Sequence, residues 1–191
     1  MLQFRSPCLA APTGSLNNVV AFGGVRSVNS QRHASSQYGF FEMHGFAAAG
    51  AGFLLAVLWF DLMFDVQSRN HDGEVLPPPV LASIAAYYRR VTTEAYPMNR
   101  LVAVVMLLTL AAICVEIVQG QNPWWIGWGS ILLAGGGFVP TMMRTVPNAR
   151  RLGTSADSAQ EQSRLARAVC RDHMLSFARM GVVLGLQLMA R

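Results

Sequence analysis

Residues 125–143, with the sequence WIGWGSILLAGGGFVPTMM, decide the fold of this protein. No charged residue lies between Asn122 and Arg144. A helix of this length, rising 1.5 Å per residue, spans roughly 28 Å, which is close to the thickness of the hydrocarbon core of a bilayer. The stretch is therefore typical of a transmembrane helix, because soluble helices rarely contain so long a run without charge.

The composition of the whole chain agrees with a membrane protein. Of the 191 residues, 52% are hydrophobic and 13% are charged, whereas about 25% are charged in a typical soluble domain. A chain of this size cannot bury that much apolar surface and still keep a polar exterior. The composition thus excludes a soluble globular domain, and the high apolar content also excludes a disordered chain.

Four segments reach the length of a bilayer: residues 44–66, 101–118, 125–143 and 173–190. Because the bilayer offers no water to the backbone, each span must satisfy its own hydrogen bonds and is expected to be helical. We therefore predict an all-α membrane protein, with a four-transmembrane-helix bundle over residues 41–191. Glycines at 135–137 and a proline at 140 predict a bend in the third span.

Two features are predicted outside the spans. Residues 80–91 follow three prolines and repeat apolar residues at helical spacing, which predicts a short interfacial helix lying on the membrane surface. The sequence Ser158-Ala-Gln-Glu161 fits a capping box. The last helix is accordingly expected to begin near Ser158 and to project beyond the membrane.

Residues 1–40 form a segment of different composition, which we predict to be an extended or transit-like N-terminal arm. They contain three Arg and six Ser but no Asp or Glu, as mitochondrial transit peptides do. Arg32 precedes a sequence that resembles a processing site, and whether the arm is removed there is left open.

The arginines predict the orientation of the bundle. All 15 basic residues are Arg. Ten lie on the side of the membrane that holds the 67–100 and 144–172 loops, which we call side B, and four lie on the side of both termini, side A. This asymmetry places side B in the matrix and both termini in the intermembrane space.

Charged residues inside the spans are the first candidates for a functional site, because they are costly in a membrane. Asp61 and Arg179 lie roughly 9 Å and 12 Å from the side B ends of their helices, so we predict an intramembrane ion pair between them. Asp65 is expected to face Arg100 and Arg144, and Glu116 to reach the side A interface. The pairs fix helix packing in one interpretation and line a proton or ion path in the other.

The remaining candidates concern ligands. The histidines and cysteines show no metal-binding spacing, so neither a metal nor a haem is predicted. The basic loops adjoin helix ends, where anionic lipid such as cardiolipin is the natural partner and nucleic acid is not. The arginines predicted to bind lipid headgroups are Arg89, Arg90, Arg150, Arg151, Arg164 and Arg167.

The segment Val146-Pro147-Asn148-Ala149-Arg150-Arg151-Leu152, followed by His173 and Arg179, resembles a family of small, mostly bacterial four-helix membrane proteins that includes anthrone-oxygenase-like members. The resemblance covers roughly residues 44–190 and implies an oxygenase-like activity. It assigns no catalytic residue.

Three functional hypotheses follow from the sequence. The first is an accessory structural subunit of a mitochondrial inner-membrane complex, a respiratory-chain complex before ATP synthase, in contact with other subunits and membrane lipids. It has no enzymatic activity, in keeping with the absence of a catalytic motif. The second is a small membrane-embedded enzyme of the oxygenase-like kind, which a pocket open to the membrane between the helices and lined by Asp61, His173 and Arg179 would favour. The third is a transporter or proton path, which needs a water-filled cavity that reaches Asp61 or Glu116 from one side.

Overall fold

A computed structural model describes residues 45–120 and 122–190. The predicted arm at 1–40 and the first residue of the predicted first span lie outside the described residues.

The described chain is helical, with short connections between six helices. The first, α1, spans Gly45–Arg69 and ends in a 3₁₀ turn at Val66–Arg69. The others are α2 (Pro78–Arg89), α3 (Tyr96–Gln119), α4 (Trp124–Pro140), α5 (Val146–Thr154) and α6 (Ala159–Met189).

Three helical stretches are long and apolar enough to cross a membrane: Gly45–Arg69, Pro97–Gln119 and Trp124–Thr154. They contain the described parts of the first three predicted spans, and the prediction of a helical multi-pass membrane protein is confirmed to that extent. The predicted span at 173–190 falls almost entirely within α6. That it crosses the membrane stays a prediction.

The geometry of the third span changes later than the sequence predicts. Residues 135–137 are helical, and α4 continues to Pro140. A π-helical turn follows at Thr141–Thr145 and leads directly into α5. Because Pro140 lacks an amide hydrogen and crowds the preceding turn, wider backbone geometry beside it is physically reasonable.

The two predicted features outside the spans are present as helices. The helix predicted after the prolines is α2. It begins at Pro78, where a fixed φ suits the first turn, and a π-helical turn at Arg90–Glu94 follows it. Its apolar residues Leu81, Ile84 and Tyr88 pack against α5 and α6, and its place on a membrane surface stays a prediction. At the start of α6 the Ser158 hydroxyl accepts a hydrogen bond from the Glu161 amide at 3.3 Å. This contact confirms the predicted helix start and satisfies one otherwise unpaired amide.

The helices enclose two separate clusters of buried side chains. The first, which we call the peripheral core, joins α2, α5 and the first half of α6 on side B. Its members are Leu76, Leu81, Ile84, Tyr88, Ala149, Leu152, Leu165, Ala166 and Val169. The second, the membrane core, joins α1, α3, α4 and the second half of α6. Its members are Ala47, Ala51, Leu54, Ala112, Ile113, Ala134, Met180 and Val183.

Candidate functional site

A buried carboxylate lies at the side B end of α1. Asp65 is fully buried, and each of its oxygens has a partner. The Tyr88 hydroxyl donates to Oδ1 at 2.6 Å, and Nδ1 of His173 lies 2.6 Å from Oδ2. The three side chains come from α1, α2 and α6, so the cluster joins three helices. Such partners are what a carboxylate needs when it is removed from water.

These neighbours differ from those that the sequence predicts for Asp65. Arg144 lies instead beside Asp172, with Nε 3.8 Å from the carboxylate, and Arg100 is exposed. The difference has a physical reason. Water solvates guanidinium groups at exposed helix ends, whereas Asp65 is covered by α2, whose position against α1 the sequence does not reveal.

The hydrogen bond to Asp65 determines which nitrogen of His173 is available for chemistry. The Oδ2–Nδ1 contact is satisfied when Nδ1 carries the proton and the carboxylate accepts it, and we assign this tautomer to His173. In the neutral ring Nε2 is then an acceptor with a free lone pair. His173 is 8% exposed and lines a cavity between the helices.

Asp61 lies one helical turn before Asp65 and has a second tyrosine as its partner. The Tyr87 hydroxyl donates to Oδ1 of Asp61 at 2.6 Å, and the Phe64 ring stacks on Tyr87 with centroids 4.1 Å apart. Arg179, the predicted partner of Asp61, lies beside Gly137 of α4, where a Cβ would be 3.7 Å from its Nη1. The structure thus places Tyr87, and not Arg179, at hydrogen-bond distance from Asp61.

The two tyrosines act as donors rather than as bases. Burial, followed by the negative charge of the neighbouring aspartates, raises the pKa of both Tyr87 and Tyr88 above the ordinary phenol value. Both hydroxyls therefore stay protonated at physiological pH. Each holds the orientation of one carboxylate.

A cavity of about 180 Å³ lies between the helices, and residues from all six of them line it. Leu54, Met106 and Met180 line its apolar end, while Asp61 and His173 line its polar end. His173 and Met180 are seven residues apart on α6, so the cavity is roughly 10 Å long. A cavity of about 150 Å³ can hold benzene. The space therefore suits a molecule of one aromatic ring or similar size.

Part of the segment that carries the family resemblance lies on the wall of this cavity. Val146, Ala149 and Arg150 of α5 all line it, as does His173 of α6. Arg150 and Asn99 are exposed lining residues. Arg150 thus combines its predicted place near lipid headgroups with a place at the cavity.

Of the other predicted arginines, Arg164 and Arg167 of α6 line one groove, and the remaining three lie outside it. Arg89 and Arg90 are exposed at the end of α2. Arg151 donates to Asp157 at 2.9 Å.

Glu116 is fully buried, in contrast to its expected position at the interface. Asn122 donates to Oε2 at 3.2 Å. The Gln187 amide lies between Glu116 and Ser130, and both contacts are satisfied when its NH₂ group faces the carboxylate at 3.0 Å. The Glu116 carboxylate stays inside the bundle because Gln187 of α6 supplies a polar partner. The position of Glu116 near the end of α3 does not predict this contact.

Sequence reasoning missed the two tyrosines as members of the site. They appear in the sequence only as part of the amphipathic pattern of α2. A signal was nevertheless present, because a tyrosine on the buried face of a helix needs a partner for its hydroxyl. Asp61 and Asp65 at one-turn spacing were candidates for that partner.

Comparison with known proteins gives no match to a family model, a curated protein or a solved structure. Within residues 45–120 and 122–190, no group of three or more His, Cys, Asp or Glu side chains could hold a metal ion.

Proposed function

We propose that this protein is a small membrane-embedded enzyme that binds a mostly apolar molecule with one acidic hydroxyl, such as a phenol, in the cavity. The O–H bond of the substrate breaks, and His173 takes up the proton. One observation carries the proposal: the ring of His173 lines the cavity while its Nδ1 is held by the buried Asp65. This geometry supports the second functional hypothesis in part, because Asp61 and His173 line the cavity whereas Arg179 is not among its lining residues.

The chemistry follows from the arrangement of the pair. Asp65 fixes the tautomer of His173 and stabilises the imidazolium that forms when Nε2 takes up a proton. Tyr88 donates to the other oxygen of Asp65 and so prevents the carboxylate from rotating away. Leu54, Met106 and Met180 give the cavity an apolar end that suits the apolar part of such a substrate. An oxygenase-like reaction, which the resemblance described above implies, would need dioxygen as the oxidant in addition to this base.

We further propose that the enzyme works in the mitochondrial inner membrane. The acid-free, arginine-containing arm supports a mitochondrial address. The arginine bias supports a multi-pass topology with both termini in the intermembrane space. Membrane lipids such as cardiolipin would contact the arginines on side B.

A second candidate function is an accessory structural subunit of a respiratory-chain complex, or of ATP synthase. A specific feature favours it: the bonds of Asp61 and Asp65 tie α1 to α2 and α6, so the same polar groups can serve helix packing alone. Other subunits of a large complex would then be the partners of the protein.

The proposed activity is tested in cells whose only copy of the protein carries His173→Gln. We expect their lipid extract to contain an apolar compound at a level at least ten times that in wild-type cells, because the base is missing. The control is His71→Gln, since His71 does not line this cavity. An unchanged extract, with the variant present at the wild-type amount, would contradict the proposal.

A native gel of the same membranes separates the two candidate functions. The enzyme proposal expects His173→Gln to leave the migration of the protein unchanged. The accessory-subunit proposal expects wild-type protein to migrate with a large complex and the variant to lose that complex.

A further inference from the structure

A groove of about 780 Å³ runs along the outer face of α6 on side B, away from the candidate site. Four arginines line it: Arg144, Arg164, Arg167 and Arg171. Two glutamates, Glu74 and Glu161, also line it, and Asp172 lies beside Arg144 and Arg171, so the four arginines exceed the neighbouring carboxylates by one positive charge. We call this feature the arginine groove.

The guanidinium groups in the groove are positioned but only weakly neutralised. Arg167 donates to the backbone carbonyls of His71, Gly73 and Glu74, which fix its side chain without cancelling its charge. The closest approaches of Arg144 and Arg171 to Asp172 are 3.8 Å and 4.0 Å, both through Nε.

The exposure of these side chains also indicates that their charges are only weakly neutralised. Arg164 lies 3.8 Å from Glu161 and is 81% exposed, and the side chains of Arg144 and Arg171 are also more than half exposed. Exposed pairs at such distances contribute little stability. The guanidinium groups are therefore available to an anion.

The groove continues into apolar surface. Ala168, Arg171 and Leu175 follow one another at spacings of three and four residues and so share a face of α6. Leu175 is 50% exposed, and Met143, next to Arg144, is 76% exposed. Charged side chains thus lie directly beside apolar ones, as a lipid with an anionic headgroup and acyl chains requires.

The spacing of the arginines sets the size of headgroup that the groove can hold. Arg164 and Arg171 are seven residues apart on α6, which is roughly 10 Å along the helix, so the groove is long enough for two phosphate groups. Arginine pairs with phosphate through two parallel hydrogen bonds. We propose that the arginine groove binds an anionic phospholipid whose headgroup carries two phosphodiesters, as cardiolipin does. The site is separate from the cavity and does not depend on the proposed enzyme activity.

The experiment measures lipid binding to the full-length protein in nanodiscs of phosphatidylcholine. Cardiolipin is titrated in as the probe, and pyrophosphate serves as the lipid-free phosphate probe. The test variant is Arg164→Gln/Arg171→Gln. The matched control is Arg5→Gln/Arg26→Gln, which removes the same charge from two arginines of the N-terminal segment that are predicted to lie on side A.

We expect the test variant to weaken cardiolipin binding at least tenfold and the control variant to leave it within twofold of wild type. Pyrophosphate should bind wild type at least a hundredfold more weakly than cardiolipin does. Arg164 is the most exposed arginine among the ion pairs that line the groove. Arg164→Gln alone should therefore show an intermediate loss of cardiolipin binding and no change in the temperature of thermal unfolding. Equal losses in the two double variants would overturn the proposal, because binding would then follow total charge. Pyrophosphate binding as tight as that of cardiolipin would also overturn it, because the ligand would then be a free phosphate compound.

Discussion

The peripheral core and the membrane core are built from different residues because they face different solvents. The peripheral core contains large buried side chains such as Leu152, Ile84 and Leu81. The membrane core contains four alanines and, beside them, glycines in close contact, while large side chains such as Leu132 and Leu108 are exposed. Burying a leucine from water is favourable, but burying it from lipid gains almost nothing. Burial of large side chains therefore stabilises the peripheral core, and close packing of the helices stabilises the membrane core.

The largest expected effect is the loss of a buried side chain from the peripheral core. Leu152→Ala should lower the free energy of unfolding by about 2–5 kcal/mol, because it removes a fully buried leucine and leaves a cavity. The control is Leu132→Ala, since Leu132 is 70% exposed on α4, one of the helices that could cross a membrane. Unfolding in mixed micelles measures both. Similar losses of unfolding free energy for the two variants would contradict the claim that the two cores are stabilised in different ways.

A smaller effect is expected where α5 meets α2. A Cβ at Gly153 would lie 2.8 Å from the Arg89 backbone nitrogen. Backbone cannot rotate away, so Gly153→Ala should cost about 2–3 kcal/mol. Gly135→Ala is the matched control, because no atom lies within 4 Å of that position. If Gly153→Ala unfolds like wild type in the same micelles, the close approach of these helices is not required.

A still smaller effect is expected in the membrane core. A Cβ at Gly50 would meet the side chain of Thr109, nearest to its Oγ1. A side chain can shift, so Gly50→Ala should cost about 1 kcal/mol. The double variant with Thr109→Ala should recover most of the loss, as coupled neighbours do. Additive losses in a double-mutant cycle would show that Thr109 is not the obstacle.

The smallest effect concerns Cys170, which borders the peripheral core and is 1% exposed. Burial, and then the charge of Asp65, raises the pKa of its thiol. Because a higher pKa leaves less thiolate at a given pH, alkylation at pH 8 should be at least ten times slower than in the unfolded chain. Cys8→Ser and Cys114→Ser leave Cys170 as the single thiol for this measurement. Equal rates would indicate that the peripheral core opens readily.

The sequence predicts the helices well, because their signals are local. The uncharged run before Arg144, the prolines before α2 and the capping box at Ser158 each lie within one element. The partners of the charged residues are less predictable. Depth along a helix places Asp61 level with Arg179, but the rotation of α1 and the docking of α2 decide that Tyr87 is its neighbour. The rotation of α1 and the docking of α2 depend on contacts between residues that are far apart in the sequence, so a local pattern does not predict them.

The central claim is that His173 presents an unprotonated Nε2 to the cavity while Asp65 holds Nδ1–H. Nitrogen-15 spectra of labelled His173 test it directly, in a chain where His33, His44 and His71 are replaced by Gln so that one histidine remains. Phenol serves as the small probe. We predict a protonated Nδ1 and an Nε2 resonance that shifts when phenol is added, and a smaller phenol-dependent shift in Gly137→Leu, which adds a large side chain to the wall of the cavity. A proton on Nε2 with a bare Nδ1, or an Nε2 resonance that phenol leaves unchanged in the otherwise native chain, would contradict the claim.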